Sequence, residues 1–280
     1  MLVRTRSRRR VFAAALALAM AVVAGCNRNA GEPEERGAPD PTASEPESVQ
    51  PQSEPEHFVP EGPLGALEGR VVLEGEAPDR VPLRRGSDPF CAQTEMLSET
   101  VVTSDDGGLE YVFVRVAGDG LKAPVLETPV VIDQADCMYR PRVQGGMKGQ
   151  TLRVRNSDAT LHNVHARGTT LDRGTAQTLY NLAQPAGSGD IEQPIAASEV
   201  LELRCDLHSW MRAFVIVSDH PYFATTSEGG RFRIENVPVG TYQLETWHEL
   251  YGSKTVEVTV REDETTELEL AYDAEADRPH

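Results

Sequence analysis

The sequence predicts an all-β protein built from β-sandwiches, and three observations predict it. Apolar residues recur with a period of two in short runs from residue 67 onward. Clusters of glycine, asparagine, aspartate and proline punctuate those runs. No stretch carries the 3.6-residue apolar period of a long amphipathic helix.

Each run reads as a strand with one apolar face. Val112, Val114 and Val116 alternate with Tyr111, Phe113 and Arg115, and Leu152 and Val154 alternate with Arg153 and Arg155. Leu201, Leu203 and Cys205 share one face, Glu202 and Arg204 the other. Val256, Val258 and Val260 repeat the pattern, as do Leu268, Leu270 and Tyr272. The turns fall at Asp106-Gly107-Gly108, Gly145-Gly146, Asn156-Ser157-Asp158, Glu228-Gly229-Gly230 and Pro238-Val239-Gly240. Short strands at this spacing stack as sandwiches.

The amino terminus follows a different logic. Arg4, Arg6, Arg8, Arg9 and Arg10 precede an apolar run over 11–25. At about 15 residues the run is shorter than the ~20 that span a bilayer, so it reads as an export signal over 1–25. It ends in Val23-Ala24-Gly25-Cys26, which resembles the lipobox of bacterial lipoproteins. That resemblance implies lipidation of Cys26 and a membrane-anchored protein of the cell envelope. Asn27 implies the outer membrane if the cell is Gram-negative. Arg9-Arg10-Val11-Phe12 resembles a twin-arginine signal, which leaves the Sec and Tat routes both open. Residues 27–62 hold seven prolines and nine acidic residues. Such a segment buries too little apolar surface to offset chain entropy, and 26–62 reads as an extended tether.

The formal charge of −17 excludes nucleic acid as a partner, since phosphate binding needs a basic patch. An acidic surface suits a cationic partner, or simply keeps a tethered protein soluble.

The chemistry concentrates in Cys205-Asp206-Leu207-His208-Ser209-Trp210-Met211. A blue-copper site needs a thiolate and two imidazoles near one plane, with a weak axial thioether. One short loop presents Cys205, His208 and Met211. The second imidazole is available in Leu161-His162-Asn163-Val164-His165, after a strand and a turn. His162 and His165 are three apart and face opposite ways on a regular strand, so only one is expected to ligate. Cys205 shares the face of Leu201 and Leu203, which starts its sulfur toward the core. The bland alternative is a core thiol, a surface imidazole and a core methionine. A catalytic Cys–His pair is a third alternative, but no oxyanion-forming glycine loop accompanies it.

Residues 156–165, 205–211 and the strand 213–217 resemble the cupredoxin family, nearest to its amicyanin and plastocyanin members. The resemblance implies one type 1 copper held by His162, Cys205, His208 and Met211, with Asn163 tying the two ligand loops together. It implies single-electron transfer with redox protein partners in the envelope. No open coordination position or substrate pocket can be read from the sequence, so no enzymatic activity is expected. It also implies that His208 reaches the surface in an apolar patch. Trp210 either builds that patch or packs in the core. A copper-binding or delivery lipoprotein, or a non-redox β-sandwich interaction module, is the alternative function.

After residue 218, Glu228-Gly229-Gly230-Arg231-Phe232-Arg233-Ile234 and Asn236-Val237-Pro238-Val239-Gly240-Thr241-Tyr242-Gln243-Leu244 resemble the carboxypeptidase regulatory-like β-sandwich. The expected division is a cupredoxin-like domain over 63–218 and this module over 219–280. The module is short, and an alternative has strands such as 67–73 completing it around an inserted cupredoxin-like core. Cys91 and Cys137 remain. An exported compartment permits disulfides, and a Cys91–Cys137 bridge is expected, with free thiols or a second metal site as the alternatives. His220 and His248 are expected to be structural.

Overall fold

The computed structural model describes residues 6–9, 60–118, 120–172 and 174–278. Among these the protein is all-β, with no α-helix, and the strands form four sheets. Cys26 and the tether over 26–59 lie outside the described residues, as does nearly all of the export-signal segment. No helix among the described residues is long and apolar enough to cross a membrane.

One sandwich draws strands from both ends of the chain. Its first sheet places Arg6–Arg9 (β1), Glu264–Asp273 (β17), Leu64–Glu74 (β2) and Arg231–Pro238 (β14) side by side, with β2 parallel to β17 and antiparallel to β14. Its second sheet orders Phe223–Thr225 (β13), Phe113–Ala117 (β3), Gly240–His248 (β15) and Gly252–Val260 (β16), all antiparallel. Leu67 and Val71 from β2, Val114 and Val116 from β3, Leu244 and Leu270 interleave between the sheets, as the period of two demands. The Glu228-Gly229-Gly230 turn needs its glycines. Gly230 has φ +72°, and a Cβ there would meet the Val71 carbonyl oxygen at 2.2 Å.

The other sandwich lies between those strands in sequence. One sheet orders Ile191–Pro194 (β10), Thr151–Asn156 (β7), Val130–Ala135 (β4) and Met138–Arg140 (β5). The facing sheet orders Val143–Met147 (β6), Arg212–Ser218 (β12), Val200–Arg204 (β11), His162–Thr169 (β8) and Gln177–Gln184 (β9). Ile132, Leu152, Val154, Val164, Leu203 and Val215 fill the core between them, and Cys205 and Met211 belong to that core.

A third apolar layer joins the sandwiches. Phe113 and Trp247, on the outward face of the β3/β15 sheet, pack with Val143, Val200, Phe214 and Ile216. Both faces of β3 are therefore covered, one by each sandwich. Arg142 and Glu249 form an ion pair at this junction, each side chain 5% exposed. The described residues belong to a single compact unit.

His248 and His220 have structural surroundings. His248 Nδ1 accepts the Leu250 and Tyr251 amides (3.1 and 3.3 Å), which pins the turn between β15 and β16. Burial, then the Arg142 charge, push its pKa down to about 3. A histidine neutral when folded, but titrating near 6.5 when unfolded, contributes stability that is full above about pH 6.5. That contribution falls as pH drops toward 3, at about 1.4 kcal/mol per pH unit. Denaturant titrations from pH 7 to pH 4 should show this slope. His248→Leu should be less stable at pH 7, having lost an acceptor for two amides, and should lose that part of the slope. The His220 ring lies tilted against that of Tyr222, with centroids 5.2 Å apart, and its Nδ1 accepts the Tyr222 amide (3.3 Å).

Candidate metal centre

The loop of the C-x2-H-x2-M motif is the hairpin connection between β11 and β12. The last paired residues are Arg204 and Arg212, so residues 205–211 form the whole loop. Two backbone bonds close it: the Met211 amide to the His208 carbonyl (2.9 Å) and the Cys205 amide to the Met211 carbonyl (3.3 Å). His162 opens β8, which pairs with β11. This pairing brings the two segments together. Tyr139 secures it, its hydroxyl bridging the carbonyls of Asn163 and Arg204 (2.8 and 3.2 Å).

His162, Cys205 and His208 converge, with their donor atoms within 4.8 Å of one another. They are 0%, 2% and 3% exposed, and Met211 is 0% exposed in the same core. The Nδ1 atoms of the two histidines face each other at 2.9 Å, and Cys205 Sγ lies 3.5 Å from His208 Nδ1. Asn163 Oδ1 accepts from Cys205 Sγ (3.3 Å) and from the Asp206 amide (2.7 Å), so it links the two ligand segments. His165 faces away. Its Nδ1 meets Asp206 Oδ1 at 2.8 Å and its Nε2 meets Thr178 at 2.9 Å.

Each outward-facing imidazole nitrogen is held by a carboxylate. His162 Nε2 donates to the buried Asp158 Oδ2 (2.9 Å), and His208 Nε2 to Asp88 Oδ2 (3.2 Å). Asp158 also accepts the Asp136 and Cys137 amides, both at 2.8 Å. Asp88 accepts the Phe90 and Cys91 amides (2.7 and 3.1 Å) and the Thr160 hydroxyl (2.9 Å). A carboxylate on Nε2 fixes the tautomer and leaves Nδ1 as the free donor.

Two lone pairs 2.9 Å apart repel unless a cation lies between them. Burial lowers the His162 pKa, but Asp158 and the Cys205 sulfur outweigh it and hold it up at about 9. Burial and the His162 charge lower that of His208. At neutral pH, His162 therefore carries the proton that His208 Nδ1 accepts. A metal cation fits the same place. Bond lengths of about 2.0–2.1 Å to nitrogen, as for a bound zinc, require the two Nδ1 atoms, 2.9 Å apart, to separate by only roughly half an ångström. Two imidazoles and a thiolate are borderline-soft donors, suited to a first-row transition ion.

His208 does not reach the surface, in contrast to the expectation from the sequence. The segment carrying Asp88 covers it, and Cys91 Sγ lies 3.8 Å from its Nε2. Cys91 and Cys137 are joined by a disulfide, with the Cα atoms 5.7 Å apart. The bridge closes a 46-residue separation, which corresponds to about 4 kcal/mol in chain-entropy terms. A Cys91→Ala/Cys137→Ala protein should lose stability of that order in denaturant titrations.

Sequence reasoning missed Asp88 and Asp158. Asp158 had a local signal, an Asn-Ser-Asp turn four residues before His162. Asp88 had none, since only the fold brings it to His208.

Residues 211–272 match the carboxypeptidase regulatory-like domain family. No curated protein matches the chain. Among solved structures, a purple cupredoxin from Nitrosopumilus maritimus is similar at 21% identity and TM-score 0.27, covering 32% of this chain and 99% of that one. A methionine-to-alanine mutant of amicyanin in its Cu(I) form gives 19% and 0.26, covering 38% of this chain and 98% of that one. A Cu-containing nitrite reductase from Thermus scotoductus SA-01 gives 18% and 0.26, covering 37% of this chain and 25% of that one.

Proposed function

We propose that the protein is a copper protein that carries single electrons in the bacterial cell envelope, tethered to the membrane through a lipid on Cys26. The observation that carries this reading is the buried convergence of His162, Cys205 and His208, with Met211 in the same loop and core. Copper bound there supplies a one-electron couple between its two oxidation states.

The protein's own residues prepare that chemistry. Asp158 and Asp88 hold the outer imidazole protons, so both Nδ1 atoms point inward, where copper would take the place of the proton they share. Asn163 orients the Cys205 sulfur. The disulfide and the segment around Asp88 exclude water from the His208 side. Donors locked in this way resist rearrangement when the charge on the centre changes, which favours electron carriage over delivery of the metal.

Voltammetry of the copper-loaded full-length protein tests this function. A reversible one-electron wave that survives repeated cycling is expected. An irreversible wave, with copper(I) lost readily to bicinchoninate, would favour the delivery role instead.

A further inference from the structure

We propose that Trp210 is the port through which electrons enter and leave the metal centre. The inference rests on the electron-carrier reading above and adds to it a route and a surface.

The ligands offer no exit of their own. His162 is 0% and His208 3% exposed, and a carboxylate holds the outer nitrogen of each. Leu161 and Leu207, next to these histidines in sequence, are 45% and 52% exposed, but their side chains are saturated and couple electrons poorly.

Trp210 combines three properties. Its ring centroid lies 5.1 Å from that of His208, at 42° between planes. Its indole Nε1–H donates to the Cys137 carbonyl (2.9 Å), which fixes the ring against the disulfide segment. It is only partly buried, and it lines a surface cleft of about 250 Å³. Met138, Ser209 and Arg212 share that cleft with it, and Leu250 contributes a wall from the other sandwich.

Electron tunnelling weakens exponentially with distance, and a conjugated ring in contact with a ligand shortens the gap to a docked acceptor. The ring mediates and is not itself oxidised. In the step tested, copper(I) in the protein becomes copper(II), and tris(1,10-phenanthroline)cobalt(III) becomes the cobalt(II) complex. One electron moves and no proton does.

The experiment uses the full-length protein with Trp210→Leu, Trp210→Phe and Leu207→Ser. Stopped-flow oxidation by the cobalt complex should slow about tenfold in Trp210→Leu, equivalent to about 1.4 kcal/mol of effective barrier. The visible spectrum and the reduction potential should stay unchanged. Trp210→Phe, which keeps a ring, should recover most of the rate, and Leu207→Ser should match the unmodified protein.

The metal-free protein gives an independent readout. The chain has two tryptophans, and Trp247 is 1% exposed. Acrylamide should therefore quench a fraction of the emission that disappears in Trp210→Leu.

An unchanged rate in Trp210→Leu overturns the port, as does a Trp210→Phe protein as slow as Trp210→Leu. A slowed Leu207→Ser, or an emission acrylamide cannot reach, does the same. Failure of the carrier reading is distinguishable, because the unmodified protein would then give no reversible one-electron wave in voltammetry, whatever the rates of the variants.

Discussion

Cys205→Ser, loaded with copper(II), should show no intense visible band, only the weak absorption of copper held by nitrogen and oxygen donors. The band expected of the unmodified protein is a sulfur-to-copper charge transfer, and Cys205 is the only free cysteine among the described residues. The substitution is mild for the fold. Cys205 is 2% exposed, and its Sγ bonds to Asn163 Oδ1 at 3.3 Å, an acceptor a serine hydroxyl can also use. Stability should change by no more than about 1 kcal/mol. The spectrum and a denaturant titration on the same sample separate loss of the ligand from loss of the fold. An intense band that survived in Cys205→Ser would remove the thiolate from the centre.

Asp158→Ala should produce the largest loss of stability at the site. The Asp158 carboxylate is buried and receives three donors: His162 Nε2 and the Asp136 and Cys137 amides. Removing it strands all three and leaves His162 without its buried counter-charge. Breaking a buried pair of this kind costs about 3–5 kcal/mol. The thermal midpoint of the metal-free protein should fall by on the order of 10 °C. Copper affinity should fall as well, by roughly 10–100-fold, because His162 loses the partner that orients Nδ1. Asp158→Asn keeps one acceptor oxygen and should fall between the two proteins on both scales. Thermal denaturation and competition titration against a chelator measure the two effects separately. Equal affinities for all three proteins would show that Asp158 supports the fold without setting the ligand.

The legible parts of this molecule were those encoded locally. Alternation along Leu201, Leu203 and Cys205 placed the thiol in the core, where it lies. The seven residues from Cys205 to Met211 had to form one connection, and they join β11 to β12. The parity argument that separated His162 from His165 holds in β8, with the first buried and the second bonded to Asp206 and Thr178.

What escaped the sequence depends on distant contacts. Asp88 reaches His208 across 120 residues, and no local pattern marks it. The same segment buries His208, which a resemblance confined to the ligand loops had no means of anticipating. The apolar residue Phe113 lies on the face of β3 opposite Val114, and only the second sandwich explains it. The carboxy-terminal sheets needed β2 and β3 to complete them, as the shortness of the terminal segment suggested.

The most direct test of the central claim is the electron paramagnetic resonance spectrum of the full-length copper(II) protein, recorded with its visible absorption. Thiolate ligation by Cys205 predicts an intense blue-to-green band and a narrow parallel copper hyperfine splitting, at one copper per chain. A wide splitting with only pale absorption, or no stoichiometric copper, would contradict it and leave His162, Cys205 and His208 as structural residues of a β-sandwich core.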